Sequence, residues 1–87
     1  MNLLLITLPG CVPCIRLKQN LDILQYSTIE TPFTYEVINA HDRPDLVEQY
    51  NIQSAPCLVF PSGFVLRYSM GIAPLEDLIK KEYEKSE

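Results

Sequence analysis

The chain has 87 residues, 47% of them apolar and 21% charged, a size and composition that suit one small folded domain and argue against two domains or disorder. Seven Lys and Arg stand against eleven Asp and Glu, a net charge of −4, so the electrostatic basis for gripping a phosphate backbone is missing and nucleic acid is not expected as a partner. Three cysteines are an odd number, which suits a reducing compartment better than a disulfide framework.

The opening run "NLLLITL", Asn2 to Leu8, is continuously apolar and stops at Pro9-Gly10, the pattern of a central strand buried on both faces. Its apolar run of about six residues, with no basic residue before it, falls short of a secretory leader's 7–15, so a strand of a cytoplasmic protein is expected, without a membrane segment. Cys14, Leu17, Leu21 and Leu24 follow at helical spacing between polar residues. They predict an amphipathic helix from about Val12 or Pro13 that fades at Tyr26-Ser27-Thr28.

"FTYEVIN", Phe33 to Asn39, is aromatic and β-branched and follows Pro32, so it reads as a second strand. A strand, helix and strand in succession imply a right-handed crossover and a parallel pair. "RPDLVEQYNI" places Pro44 at a first helical position with Leu46, Val47 and Tyr50 as apolar contacts, a short second helix. "CLVF" and "FVLRY" flank Pro61-Ser62-Gly63, a hairpin signal. Gly71 breaks the chain before a last helix, "PLEDLIKKEYEK", with Pro74 near its start and Leu75, Leu78 and Ile79 on one face. The order β-α-β-α-β-β-α describes a single α/β domain over residues 1–87. Tyr35, Tyr50, Phe60 and Phe64 are expected in or beside the core, and the terminal "KKEYEKSE" as a solvated, fraying helix end.

Cys11 and Cys14 form a C-x-x-C pair where the first strand gives way to the first helix. A cysteine reacts as its thiolate, which the N–H groups and positive dipole end of a helix N-terminus stabilise. Cys11 falls at that end, exposed and nucleophilic, with Cys14 shielded in the first turn and close enough to form a disulfide. Pro13 suits the first turn and stiffens the loop between them. Two other readings stand beside the redox couple. The pair could be inert buried thiols, or zinc ligands completed by Cys57 and His41, although no second C-x-x-C is present. His41 otherwise reads as a solvated loop residue. Cys57 reads as a small buried hydrophobe or as a third thiol near the pair.

Pro56 directly precedes an apolar strand, a tight place where a cis bond is a usual reason for proline, so Ala55-Pro56 is predicted to be cis. The backbone of Ala55 would then be free to pair with an extended substrate segment.

Taken together, the C-x-x-C between strand and helix, the stretch "YNIQSAPCLVF", the hairpin and "MGIAPLEDLIK" resemble the thioredoxin/glutaredoxin superfamily over nearly the whole chain. Tyr50, Ile52 and Pro56 match the family's cis-proline loop, and Gly71 its glycine before the last helix. The resemblance implies a four-stranded mixed sheet flanked by helices and dithiol–disulfide exchange, in which Cys11 attacks and Cys14 resolves. It also implies a substrate surface at Val12, Pro13, Ala55, Pro56 and Gly71, protein disulfides as substrates, and no cofactor or metal beyond the Cys11–Cys14 disulfide. Recycling would come from a thioredoxin reductase or glutathione, and the protein would act as a monomer.

The small size is similar to short glutaredoxin-like thioredoxins that reduce ribonucleotide reductase. Pro13 in Cys-Val-Pro-Cys follows thioredoxin's pattern. Gly10, however, stands where thioredoxins usually carry tryptophan, and Leu5 where they often carry a buried acid. A single Gly71 replaces the glutaredoxin Gly-Gly, and no Lys or Arg precedes Arg16. The alternatives that follow are a glutathione-dependent glutaredoxin and a binding module with idle cysteines.

Overall fold

The computed structural model describes residues 1–27 and 31–85; the expected fading of the first helix at Thr28 lies outside them. Strand β1 (Asn2–Thr7) leads into helix α1 (Val12–Ser27), then β2 (Thr34–Asn39), a 3₁₀ turn (Ala40–Asp42), α2 (Pro44–Gln49), β3 (Cys57–Val59), β4 (Val65–Leu66) and α3 (Ile72–Lys85). The described strands form one sheet in the order β2-β1-β3-β4. β1 is central, parallel to β2 and antiparallel to β3, with Leu5 opposite Val37 on one side and Leu58 on the other.

The alternation of side chains along each strand builds two cores. On one face Leu3, Leu5, Leu58 and Leu66 meet Leu17, Leu21 and Leu24 of α1 and Leu75 and Ile79 of α3. On the other, Ile6, Ile38, Cys57 and Val59 meet Leu46 of α2. Each fully buried leucine stabilises the fold by about 1.5–3 kcal/mol through the water it sheds, so α1, with three of them, is anchored mainly by its inner face. Tyr35 on β2 hydrogen-bonds through its hydroxyl to Asp22 on α1, which also accepts from Lys18 Nζ at 3.2 Å.

Two turns carry their sequence signatures. Cys11 N–H donates to Leu8 O at 3.3 Å across Pro9 and Gly10, with Gly10 at φ +73°, the proline-glycine arrangement of a type II turn. After α2, Asn51 N–H donates to Glu48 O and Ile52 N–H to Val47 O, with Asn51 at φ +51°. That pair of bonds is the Schellman ending of a helix, with asparagine at the left-handed position. The guanidinium of Arg67 closes the same helix end by donating to Tyr50 O at 2.8 Å and Asn51 O at 3.0 Å.

Three expectations change. β4 is only two residues long because Arg67 turns away to α2 instead of continuing the ladder. Phe64 is 43% exposed at the turn end of the hairpin, its ring 5.9 Å from that of buried Phe60, and is not a core residue. Within the terminal helix Glu82 is 2% exposed, accepts a hydrogen bond from the Ser62 hydroxyl and lies 3.1 Å from Lys85 Nζ. It ties α3 to the hairpin turn from within a segment whose composition reads as solvated.

Candidate active site

Cys11 and Cys14 are joined as a disulfide, with Cα atoms 5.3 Å apart. The turn at Pro9-Gly10 delivers Cys11 to the start of α1, where its carbonyl accepts the Ile15 N–H at 3.3 Å. Its Sγ receives the Cys14 N–H at 3.2 Å. Cys11 is half-buried at the surface and Cys14 is 4% exposed, the asymmetry expected of an attacking and a shielded sulfur. The unpaired N–H groups of a helix start favour negative charge at that sulfur. Gly10 explains the missing tryptophan: at φ +73° a residue with a side chain is strained, so the approach to Cys11 demands glycine.

The disulfide sits between two clefts. The smaller, about 210 Å³, is lined by both cysteines with Leu8, Ile15, Lys18 and Val37. Leu5 lies fully buried in the first core, so β1 brings no carboxylate beneath the pair. Lys18 is held by Asp22, and that contact raises its affinity for a proton. The Tyr35 hydroxyl, opposed by burial and assisted by Lys18, in turn holds the Asp22 carboxyl below the usual carboxylate range.

The larger cleft, about 570 Å³, has Ala55 and Pro56 along its floor. Pro13, Arg16 and Asn20 of α1 form one wall, and the Arg67–Gly71 segment forms the other. Ala55–Pro56 is cis as expected, and Ala55 lies outside the ladder, which begins at Cys57. The Asn20 amide donates to Met70 O at 2.8 Å and joins the walls. Gly71 lies at the start of α3, its carbonyl receiving the Leu75 N–H at 3.1 Å.

The structure therefore brings Pro13, Ala55, Pro56 and Gly71 into one cleft beside the dithiol. Val12, 56% exposed, projects from the same turn without lining either cleft. Cys57 lies elsewhere: it faces the α2 side of the sheet, its S–H donates to Ser54 O at 3.1 Å, and burial pushes the thiol's pKa up. The reading of Cys57 as a third thiol beside the pair is overturned, because strand alternation sends its side chain to the face opposite α1. His41 is exposed in the 3₁₀ turn, and among the described residues no group of three or more His, Cys, Asp or Glu could hold a metal ion. Arg16, Asn20 and Arg67 escaped the sequence reading as site residues. Their only signal was polar character at positions that the helix and strand patterns already explained.

Sequence comparison with protein-family models and with curated proteins finds no match. Comparison of structures shows the thioredoxin fold. Chloroplastic thioredoxin z superposes on 95% of this chain and 78% of its own, with a TM-score of 0.77 at 17% identity. A thioredoxin-like protein from Clostridium perfringens covers 92% of this chain and 68% of its own, with a TM-score of 0.74 at 15% identity. The oxidised form of mitochondrial thioredoxin 3 from Saccharomyces cerevisiae covers 92% and 76%, with a TM-score of 0.66 at 19% identity. At these identities the likeness is one of fold.

Proposed function

We propose that the protein is a thiol–disulfide oxidoreductase that reduces protein disulfides. The observation that carries this reading is the Cys11–Cys14 disulfide at the N-terminus of α1, flanked by the cleft that Ala55–Pro56 floors. In the reduced protein the Cys11 thiolate attacks one sulfur of a substrate disulfide, and the other substrate sulfur leaves as a thiolate and takes a proton. Cys14, losing its own proton, then attacks Cys11 Sγ and releases the second substrate thiol. Two electrons pass to the substrate, and the protein is left with the intramolecular disulfide. The helix N-terminus and the Cys14 N–H favour the attacking thiolate, while burial keeps Cys14 from reacting first.

An extended substrate segment would pair with the backbone of Ala55, with Pro56 beneath it and Val12, Pro13 and Gly71 at its sides. No cofactor is needed, because the cysteine pair carries the electrons. The reading places the protein in a reducing, cytoplasmic setting as a monomer, recycled by a thioredoxin reductase or by glutathione. It also makes ribonucleotide reductase a substrate to test.

The deciding experiment is insulin reduction, driven in parallel by thioredoxin reductase and by glutathione, using wild-type protein, Cys11→Ser and Cys14→Ser. The expected result is turnover by wild type with one of the two reductants, none by Cys11→Ser, and a trapped mixed disulfide on Cys14→Ser. An oxidised wild-type protein whose mass has not fallen by two hydrogens, together with no turnover, would refute the proposal and favour a binding module with idle cysteines.

A further inference from the structure

We infer that the larger cleft selects disulfide substrates carrying a carboxylate within two residues of the half-cystine under attack, with Arg16 and Arg67 as the residues that read it. The inference deepens the oxidoreductase reading and rests on it.

The chain is acidic, at a net charge of −4, yet the charged lining of this cleft among the described residues is two arginines and no carboxylate. Lys18, Arg43, Lys80 and Lys85 each lie within 3.4 Å of an Asp or Glu oxygen, whereas among the described residues Arg16 and Arg67, like Lys81 late in α3, have no carboxylate partner, and only the two arginines line the cleft. Arg67 spends two donors on the backbone carbonyls of Tyr50 and Asn51. These bonds fix the guanidinium in place but leave its charge uncancelled, with further N–H donors to spare. Arg16 stands exposed on α1 across the cleft, and the Asn20–Met70 bond holds the two walls together.

The cleft's volume accommodates a few residues of extended chain. In such a chain, residues two apart share a face at about 6.6 Å. A segment whose half-cystine lies at Cys11 and whose backbone runs along Ala55 would bring its near neighbours into the cleft that the two arginines line. Fork-shaped guanidinium donors match a carboxylate, and a basic cleft in an acidic protein raises the encounter rate of anionic partners while deterring cationic ones. The carboxylate could belong to an Asp or Glu side chain, to a chain terminus or to glutathione; the chemistry read is the same.

The test uses the reduced full-length protein and single-turnover rates on synthetic disulfide peptides. Two are C-terminally amidated and differ only in having Glu or Gln two residues from the half-cystine. A third is the Gln peptide with a free terminal carboxylate, and a fourth substrate is oxidised glutathione. At low salt the Glu peptide should be reduced about tenfold faster than the Gln peptide, the equivalent of about 1.4 kcal/mol. The advantage should shrink severalfold at 0.5 M salt, where charges are screened within a few ångströms. Arg16→Glu, at an exposed helix position, should cut the Glu-to-Gln ratio at least threefold; it carries the test because Arg67 variants also lose the closure of α2. Gains by the free terminus or by glutathione equal to the Glu gain would assign the source of the carboxylate within the proposal. Equal rates on the Glu and Gln peptides, or a ratio that Arg16→Glu leaves unaltered, would overturn the selectivity while insulin reduction still stood. Failure to reduce insulin as well as every peptide would remove the oxidoreductase reading itself.

Discussion

Replacing Asn20 with alanine separates two effects of opposite sign. Asparagine is a poorer helix former than alanine, so on propensity alone the substitution in α1 should stabilise the protein by about 0.5–0.7 kcal/mol. Against this stands the 2.8 Å bond from the Asn20 amide to Met70 O, a part-buried contact spanning 50 positions of sequence. A neutral hydrogen bond contributes about 1 kcal/mol net, and a partly buried carbonyl left without its donor costs about 1–3 kcal/mol. The second effect wins, and Asn20→Ala should destabilise by about 1 kcal/mol, a fall in Tm of about 4–8 °C for a domain of this size. Urea denaturation with an unchanged m-value would attribute the loss to the native contact. Asn20→Asp, which sets an acceptor against an acceptor, should be worse than alanine. Because Asn20 joins the walls of the larger cleft, KM for peptide disulfides should rise in both variants. A Tm at or above wild type for Asn20→Ala would refute the reasoning, since it would show that propensity alone acts at this position.

Gly10→Ala should cost about 1–2 kcal/mol because φ +73° is the left-handed region and nothing within 4 Å crowds the added carbon, so the strain is purely of the backbone; guanidinium unfolding would measure it. Gly71→Ala, whose added carbon meets nothing nearer than 3.9 Å, should cost only about 0.5–1 kcal/mol in the same assay, because glycine is the better N-cap and no clash adds to the loss. Glu82→Ala should destabilise by about 2 kcal/mol, since the Ser62 hydroxyl and Lys85 lose the carboxylate that ties α3 to the hairpin turn; a Tm change under 2 °C would contradict this. The Asp22 carboxyl titrates lower folded than unfolded, chiefly through the Tyr35 hydroxyl. Its stabilising contribution is therefore complete above the ordinary value of 3.8 and lost as the pH falls through the depressed folded value. The urea midpoint of Tyr35→Phe should accordingly fall less between pH 7 and pH 3 than that of wild type, and parallel profiles would speak against the contact.

Features set by neighbours in sequence were legible in the letters. Pro9-Gly10 encodes the turn that aims Cys11, the spacing of Cys14, Leu17, Leu21 and Leu24 encodes the buried face of α1, and Pro56 before an apolar strand encodes the cis bond. What stayed hidden depends on partners far along the chain. Glu82 continues the spacing of Leu75 and Ile79, but its charge masks the pattern, and its partner Ser62 lies 20 positions away. Arg67 looks like the polar end of a strand until the helix end at Tyr50 and Asn51 is seen to need its donors. The basic character of the larger cleft follows from that distant pairing, because Arg16 and Arg67 share a wall-to-wall space only after the hairpin has folded back against α1.

Three cysteines permit three intramolecular pairings, and a protein that cycles between dithiol and disulfide would lose turnover to any wrong one. Here the sheet works as insulation. Cys57 spends its proton on Ser54 O behind a layer of backbone, poorly ionised and facing a different core, so an oxidant arriving at Cys11 finds one thiol positioned to answer. The odd cysteine count then needs no sorting enzyme or fourth partner: a single disulfide partner for Cys11 is written into which face of the sheet each sulfur occupies.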